Sequence, residues 1–553
     1  MRGSIAGLAN STECSVSAFS LSCPPRWPAL VATAFLGSLT WALAHWLAYP
    51  NLDPYHDMLE SYAWSQTFEW GTFKHPPLFA WVTGAWFSVF PRGDLTFKLL
   101  AYANVAGGLL GVAALARAYG MAQHSKAAMV LLLMCLPYTT LAAKFNANTQ
   151  LLSIWPWAAA ALINSITFEG KRAWMWSTLL GALAALCVLA KYFSGVFFVG
   201  LLAAALTHPA GLRWIRSFLP WWAAVVGLLI LTPHLMWLHS SGFVLMRYAM
   251  DQGGGQTDWH QLQDFALLPF VYWLPGWWLC TAAFARSAPA GQRLTRWLQL
   301  LVIAWRPQGV GDGLFWLILT PWILSLAFGL AGVVALSSPW ALPLGFAFPI
   351  LWLRNLEQAS SSDDAQAALG RMHHRFLSLG AAIAVLTVGA VLGTTQALSG
   401  ASAYYRPTGE AAQAITQSWQ ERHPTIALRW SAGAWPDAAM MAFYVHPSVR
   451  ALPFAPDSPA AAIAPHPLWA EQGGVWVCTL GPANGHPFGP DNPSDCQQQA
   501  SSWLTSKGQT VAAHRIIARR EGFRFPHPQD WEYVAYDVLP LRISGSQGGK
   551  SPE

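Results

Sequence analysis

The chain predicts a polytopic α-helical membrane protein with a C-terminal soluble α+β domain, on three observations. Mean hydropathy is +0.32 over 553 residues, with 54% apolar and only 10% charged residues, a composition that suits a membrane-spanning bundle. Apolar runs of near-spanning length recur between residues 27 and 397. The charge density then rises: residues 401–553 hold 12 of the 26 acids and 11 of the 32 Lys and Arg, which leaves 14 acids for the first 400 residues.

The runs suggest eleven spans, at about 27–49, 94–115, 127–142, 150–167, 173–190, 193–208, 217–238, 263–285, 314–333, 339–354 and 376–397. The runs at 127–142, 193–208 and 339–354 are the shortest, and short spans also arise from broken helices that line a cavity. With the N-terminus in the cytoplasm, fifteen Lys and Arg fall on the cytoplasmic side and six on the other side and its span ends. This positive-inside bias survives two further spans, so eleven to thirteen is the expected range. Residues 1–26 then form a cytoplasmic tail, 27–397 a multi-span domain with an exported loop at 50–92, and 398–553 an exported soluble domain of ordinary size. Residues 1–25 have no continuous apolar core, so they read as a short disordered tail rather than a cleaved signal peptide.

The net charge of +6 lies in short loops between apolar runs, which argues for membrane topology and against a nucleic-acid partner. Many of the 32 Trp lie near span ends, as interfacial anchors do. Cys135, Cys187 and Cys280 fall within spans and read as small apolar packing residues. Cys478 and Cys496, 18 positions apart in the exported domain, form the expected disulfide. In that domain Thr408–Glu421 has helical spacing, whereas Gly474–Leu480 and Trp531–Leu539 read as strands.

The loop 51–78, NLDPYHDMLESYAWSQTFEWGTFKHPPL, places Asp53, Asp57, Glu60 and Glu69 within 17 positions. Asp53–Pro54 has the form of a helix start, with Asp as the cap and Pro first in a helix running to about Glu69. Asp57 and Glu60 would share one face of that helix. Such a pair is either a solvated helix face or a general base with a supporting carboxylate. The scarcity of acid elsewhere favours the second reading. The diproline Pro76-Pro77 forms a stiff corner that would hold Lys74 and His75 beside the carboxylates, an arrangement suited to an anionic leaving group such as phosphate. Lys144 with Asn146 and Asn148, Lys191 with Tyr192, and Arg247 lie on the same predicted side. Singly each cation reads as a snorkelling residue; together they would make a basic pocket for a lipid phosphate. His234 reads as a buried helix-end histidine rather than a metal ligand. Phosphate-loop, serine-hydrolase, zinc-protease and CxxC motifs are all absent from the sequence.

DMLESYAWSQ followed by GTFKHPPLFAW resembles the first exported loop of the dolichyl-phosphate-mannose-protein mannosyltransferase superfamily. It resembles most closely the bacterial glycosyltransferase 39 branch that includes the lipid A aminoarabinose transferase, which often reads DEAYYWLWSQ and then GYYDHPPL. LLSIWPW after Asn148, Lys191-Tyr192, PHLMWLHSSGF from Pro233 and GAWPDAAMMAFY ending at Tyr444 follow in the same order. The resemblance implies a GT-C fold, a polyprenyl-phosphate sugar donor, inversion at the anomeric carbon and an active site at the periplasmic face of a bacterial inner membrane. It implies Asp57 as the general base and Lys74, His75 and Lys191 as donor-phosphate contacts. The implied acceptor is lipid A or another envelope glycan, with protein a lesser candidate. Met58, Lys74 and Asn148 stand where relatives often carry acids. A divalent metal is therefore a doubtful cofactor, with Lys74 expected to supply the charge instead. A transporter of lipid-linked sugars is a second reading, disfavoured because the acids lie in one loop and no inverted repeat is visible. A non-catalytic envelope-assembly relative is a third.

Overall fold

The computed structural model describes residues 24–53, 56–253, 257–397, 402–445, 449–457, 469–483, 493–522, 525 and 527–540. Most of the expected N-terminal tail and Pro54 lie outside the described residues. The N-terminal half runs α1 (Trp27–Ala48), α2 (Asp57–Ser65), α3 (Leu78–Val89), α4 (Asp94–Ala118), α5 (Ser125–Leu132), α6 (Ala147–Thr167), α7 (Gly170–Ala190) and α8 (Ser194–Thr207). It continues through α9 (Gly211–Ile215), α10 (Leu219–Ser240), α11 (Val244–Gly253), α12 (Trp259–Ala285), α13 (Arg293–Ile303), α14 (Gly313–Leu330), α15 (Phe348–Gln358) and α16 (Ser362–Ala397).

Among the described residues seven helices are long and apolar enough to cross a membrane: α1, α4, α7, α10, α12, α14 and α16. An eighth is gained if a bent pair counts as one span. The remaining expected spans fall short for different physical reasons. The run at 127–142 is broken, with Ala122–Leu132 and Leu136–Ala143 meeting at 85° beside Pro137. The run at 339–354 becomes a 3-10 turn, Ser338–Ala341, and then the 11-residue α15, because Pro339, Pro343 and Pro349 remove backbone donors. Its backbone is nearly all buried in protein, where irregular structure is tolerated. α8 has 14 residues, and the 21-residue α6 is excluded by its polar content rather than its length.

α1 packs on α4, α4 on α6, α6 on α7, and α7 on α10. The α4–α6 seam is close and polar. A Cβ on Gly108 would stand 2.4 Å from the Leu152 carbonyl oxygen, while Asn104 Nδ2 donates to Thr149 O at 2.7 Å and Trp157 Nε1 donates to Gly107 O at 2.9 Å. Small residues allow such close approach between membrane helices.

The C-terminal region adds α17 (Ser402–Tyr405), α18 (Thr408–Arg422), β1 (Leu428–Gly433), α19 (Trp435–Tyr444), β2 (Arg450–Ala451), β3 (Gly473–Pro482), α20 (Pro493–Ser506), β4 (Ala513–Arg519) and β5 (Asp530–Val538). The expected helix and both expected strands are present as α18, β3 and β5. The strands form one mixed sheet in the order β2-β1-β3-β5-β4, parallel at β2-β1-β3 and antiparallel at β3-β5-β4. Alternate residues of β5 serve opposite faces. Trp531, Tyr533 and Ala535 join the main core, whereas Val534, Tyr536 and Val538 join a second cluster with Ala500 and Leu504 of α20. Cys478 of β3 and Cys496 of α20 are disulfide-bonded across that second face, their Cα atoms 5.9 Å apart.

One apolar cluster runs from the helical body into α18, α19 and the sheet, so the C-terminal region is seated on the body rather than tethered beside it. Aromatic rings join α19 to α2: Tyr62 meets Phe443 at 5.1 Å and Trp64 meets Trp435 at 5.1 Å. Arg92 donates to the carbonyls of Ala442, Phe443 and Val445 at the end of α19, and Tyr444 donates to Asp94 at 2.6 Å. Gln66 clasps the edge at Val449 O and Ala451 N, and Arg520 pairs with Glu410 while donating to Pro50 O and Asn51 Oδ1. α2 and its flanking residues are thus held between the helical body and the C-terminal region.

The α4–α6 seam makes one prediction. Gly108→Val should cost several kcal/mol, because the intruding atoms are backbone that cannot yield. The expected observation is a lower melting midpoint and loss of the monodisperse peak in detergent. A variant that melts like the parent would refute close packing there.

Candidate active site

α2 presents Asp57 and Glu60 three residues apart, as its sequence predicts, but the helix is shorter than expected. It starts at Asp57 rather than at residue 54 and ends at Ser65 rather than near Glu69. His56 enters it at φ 60°, ψ 16°, in the left-handed region, a conformation costing roughly 1 kcal/mol or more for a non-glycine residue. Upstream residues therefore cannot continue the helix. A second left-handed residue, Phe68 at φ 50°, follows its end. Asp53 still serves the helix start, with its carboxylate accepting the Asp57 N–H at 3.0 Å and the Met58 N–H at 2.9 Å. Burial, reinforced by the Asp57 charge, pushes the Asp53 carboxyl up.

Each α2 carboxylate takes its own lysine. Asp57 Oδ2 accepts from Lys144 Nζ at 2.7 Å and from Asn146 Nδ2 at 2.8 Å. Asn146 is able to do this because it is the N-cap of α6, with its side-chain oxygen already accepting from Asn148 N and Thr149 N in a capping box. Burial pushes Asp57 up, but the Lys144 charge and the two bonds outweigh it and hold the carboxyl below its usual range. Both oxygens of Glu60 accept from Lys74 Nζ at 3.1 Å. Burial is the dominant influence on Glu60 and carries it up to about 7 in spite of Lys74, with Asp57 adding to the rise. Lys74 is itself raised: burial opposes this, and the Glu60 charge overrides it.

Lys191 lies behind this pair. It is buried at the end of α7, donates to Asn148 Oδ1 and stands 4.8 Å over the ring of Trp340. Burial brings it down to about 7; Asp57 opposes this, while Lys74 and Lys144 reinforce it. Three lysines from three segments therefore act on one another beside two carboxylates. A bound anion would raise Lys191 again and relieve that repulsion.

Not every expected residue joins them. His75 is enclosed against Trp64 and Phe79, and burial followed by Lys191 and Lys74 pushes it well below its usual range, so it stays neutral. Its backbone N–H and C=O are both bonded to Thr72, which fixes the corner beside Lys74. Arg247 is exposed on α11 and touches none of these groups among the described residues, while its neighbour Tyr248 packs on Phe73 at 5.9 Å. Tyr192 bonds His234 Nε2 at 2.7 Å. His234 Nδ1 lies 2.6 Å from Trp70 O, so Nδ1 carries the hydrogen and Nε2 accepts from the tyrosine. His234 is buried as expected, and it also ties the loop to α10.

Lys98 is the residue that sequence reasoning undervalued. It lies in α4, is fully enclosed, and donates to Leu52 O and, at 3.1 Å, to Ala143 O. It joins the two loops that carry Asp57 and Lys144. An ionisable residue inside an apolar span was the available signal.

The donor set does not fit a divalent metal. Both α2 carboxylates are engaged by ammonium groups, positions 58, 74 and 148 are not acidic, and among the described residues no three His, Cys, Asp or Glu side chains are grouped as ligands.

The site sits where the chain has recognisable relatives. Residues 74–237 match the dolichyl-phosphate-mannose-protein mannosyltransferase family. The matched segment holds Lys74, Lys144, Asn146, Asn148, Lys191 and Tyr192; the α2 carboxylates lie just before it and Arg247 just after it. No curated protein sequence matches the chain. Among solved structures the chain is similar to ArnT from Cupriavidus metallidurans bound to undecaprenyl phosphate. The two share 16% identity and a TM-score of 0.55, over 94% of this chain and 99% of that one. The same protein in its apo state gives 16% identity and a TM-score of 0.48 over 93% and 98%. The fold is therefore ArnT-like over nearly the whole chain, and the segment that matches the mannosyltransferase family carries the lysines of the site.

Two outcomes follow. Glu60 is raised from its ordinary 4.5 to about 7, so the folded chain favours its protonated form. Its contribution to stability is then full below the lower value and lost as pH rises through the higher one. The melting midpoint should fall between about pH 5 and about pH 8, and Glu60→Gln should flatten that fall; an unchanged slope in the variant would remove Glu60 as its source. Secondly, whatever transfer the purified protein performs should persist in excess EDTA, and recovery only on adding a divalent ion would show that a metal is bound after all.

Proposed function

We propose that this chain is an inverting membrane glycosyltransferase that moves a sugar from a polyprenyl-phosphate donor to an envelope acceptor, with lipid A or another lipopolysaccharide glycan as the favoured class. The observation that carries the reading is Asp57, ionised and held by Lys144 and Asn146, beside Lys191, whose bond goes to an amide oxygen rather than to a carboxylate. The family match and the undecaprenyl phosphate held by ArnT support the donor class. The positive-inside bias supports the periplasmic side of a bacterial inner membrane for the loop and the C-terminal region, which share one end of the body.

The chemistry uses groups already in place. The acceptor hydroxyl approaches Asp57, which takes its proton as the new bond to the anomeric carbon forms. The bond from that carbon to the phosphate oxygen breaks on the opposite face, and the lipid phosphate leaves with the electron pair. Lys74, Lys144 and Lys191 stabilise the developing negative charge. Both bonds to Asp57 fall on Oδ2, so Oδ1 is the atom for the incoming hydroxyl. Lys144 fixes the orientation of the carboxylate and keeps it ionised, at the cost of basicity, so the main rate gain is assigned to phosphate stabilisation and alignment.

Asp57→Asn should lower transfer at least about 100-fold in protein that still elutes as a folded, monodisperse species in detergent. Mass spectrometry of lipid A and envelope glycans from cells carrying the parent, the variant or neither gene provides the measurement. Normal product from the variant would remove Asp57 from the mechanism, and identical glycans with and without the gene would remove the proposed acceptor.

A further inference from the structure

We infer that the C-terminal region is a working part of the transfer site, with Arg406 positioning the Asp57 carboxylate through a half-buried contact to His56. The inference rests on Asp57 being the base. It starts from the strained residue. His56 directly precedes Asp57, and its left-handed backbone sets the direction in which α2 leaves the loop. Two groups hold that turn. From within, Asp53 accepts the N–H groups of Asp57 and Met58. From outside, Arg406 donates to His56 Nε2 at 3.0 Å. Because a guanidinium only donates, Nε2 must present its lone pair and the ring must be neutral. Burial, and then the Arg406 charge, hold the imidazole down to about 3, which agrees with that geometry.

Arg406 is in turn fixed from the sheet. Its second terminal nitrogen faces Asp437 Oδ1 at 3.4 Å and Thr479 Oγ1 at 3.3 Å, and the guanidinium lies 5.6 Å over the Trp531 ring. Asp437 itself accepts from Thr479 N at 3.0 Å and from its hydroxyl at 2.5 Å. Residues of α19, β3 and β5 thus converge on one side chain whose outward bond goes to the residue before the base. The adjoining rigid contacts are short, with Lys144 and Asn146 at 2.7 and 2.8 Å from Asp57. Rotation of the His56 backbone would swing Asp57 away from both, and a displacement of about 1 Å at a reacting group can cost on the order of a hundredfold in rate.

Docking of the region does not depend on this contact. Arg92, Gln66 and Arg520 fasten it to the body elsewhere, through Ala442–Val445, Val449–Ala451 and Pro50–Asn51. Loss of Arg406 should therefore loosen α2 without releasing the sheet, which separates positioning from mere structure.

The test uses the full-length protein in detergent and hydrogen-exchange mass spectrometry. Arg406→Gln should speed exchange at the α2 amides by on the order of tenfold while β3 and β5 stay protected. In cells, the glycan product should fall by about ten- to a hundredfold. His56→Ala should reproduce both effects, and the double variant should be no worse than either single one, because each removes the same contact. His56→Gln should keep more of the activity than His56→Ala, since Gln Oε1 reaches the position of Nε2 and can accept from Arg406. Unaltered exchange in α2, loosening spread across the whole sheet, or additive losses in the double variant would each overturn the inference. If Asp57→Asn kept full transfer, the base assignment would fall by itself, and the exchange data would still decide whether Arg406 holds α2.

Discussion

Buried carboxylates that need partners govern the arrangement of this molecule. Asp53, Asp57 and Glu60 lie within eight residues at the end of an apolar helical body, where an unpaired charge is expensive. Each obtains a partner by a different route. Asp53 uses the first amides of α2, Asp57 uses Lys144 and Asn146 from the start of α6, and Glu60 uses Lys74 from the diproline corner. Meeting these requirements draws together segments almost a hundred residues apart and gathers three lysines into one volume.

That gathering is what gives the site its chemical character. Two lysines neutralise the α2 pair, and Lys191 is left with Asn148 and the face of Trp340. On the proposed function, that cation is where the donor phosphate would be held. The same crowding separates the two carboxylates: Asp57 is held ionised, while Glu60 moves up to about 7. Paired acids in unlike environments take unlike roles. On the proposed function Asp57 accepts the proton, while Glu60 holds Lys74.

The C-terminal region completes the enclosure. It contributes aromatic contacts to α2, backbone acceptors to Arg92, and the Arg406 contact to His56. Its elements were legible as α18, β3 and β5 because their apolar periodicities are regular. Its position was not, because the contacts that seat it join residues more than 300 positions apart, such as Arg92 with Val445 and Gln66 with Val449. The same limit applied to α2. Asp53-Pro54 has the local form of a helix start, but no local rule foresaw a left-handed His56 stabilised from the far end of the chain.

By itself the sequence determined the membrane class, the long apolar helices, the mixed α/β character of the C-terminal region and the importance of loop 51–78. Those properties follow from composition, hydrophobic period and charge placement, all of which are local. It also placed Asp57, Glu60, Lys74, Lys144 and Lys191 on a short set of candidates, because charge is rare in this chain. Only the tertiary structure decided which lysine serves which carboxylate, that His75 is neutral, that Arg247 stands apart, and that Lys98 ties the two loops together. Pairing and protonation depend on distance and on exclusion of water, and neither exists until the helices pack and the sheet closes over α2.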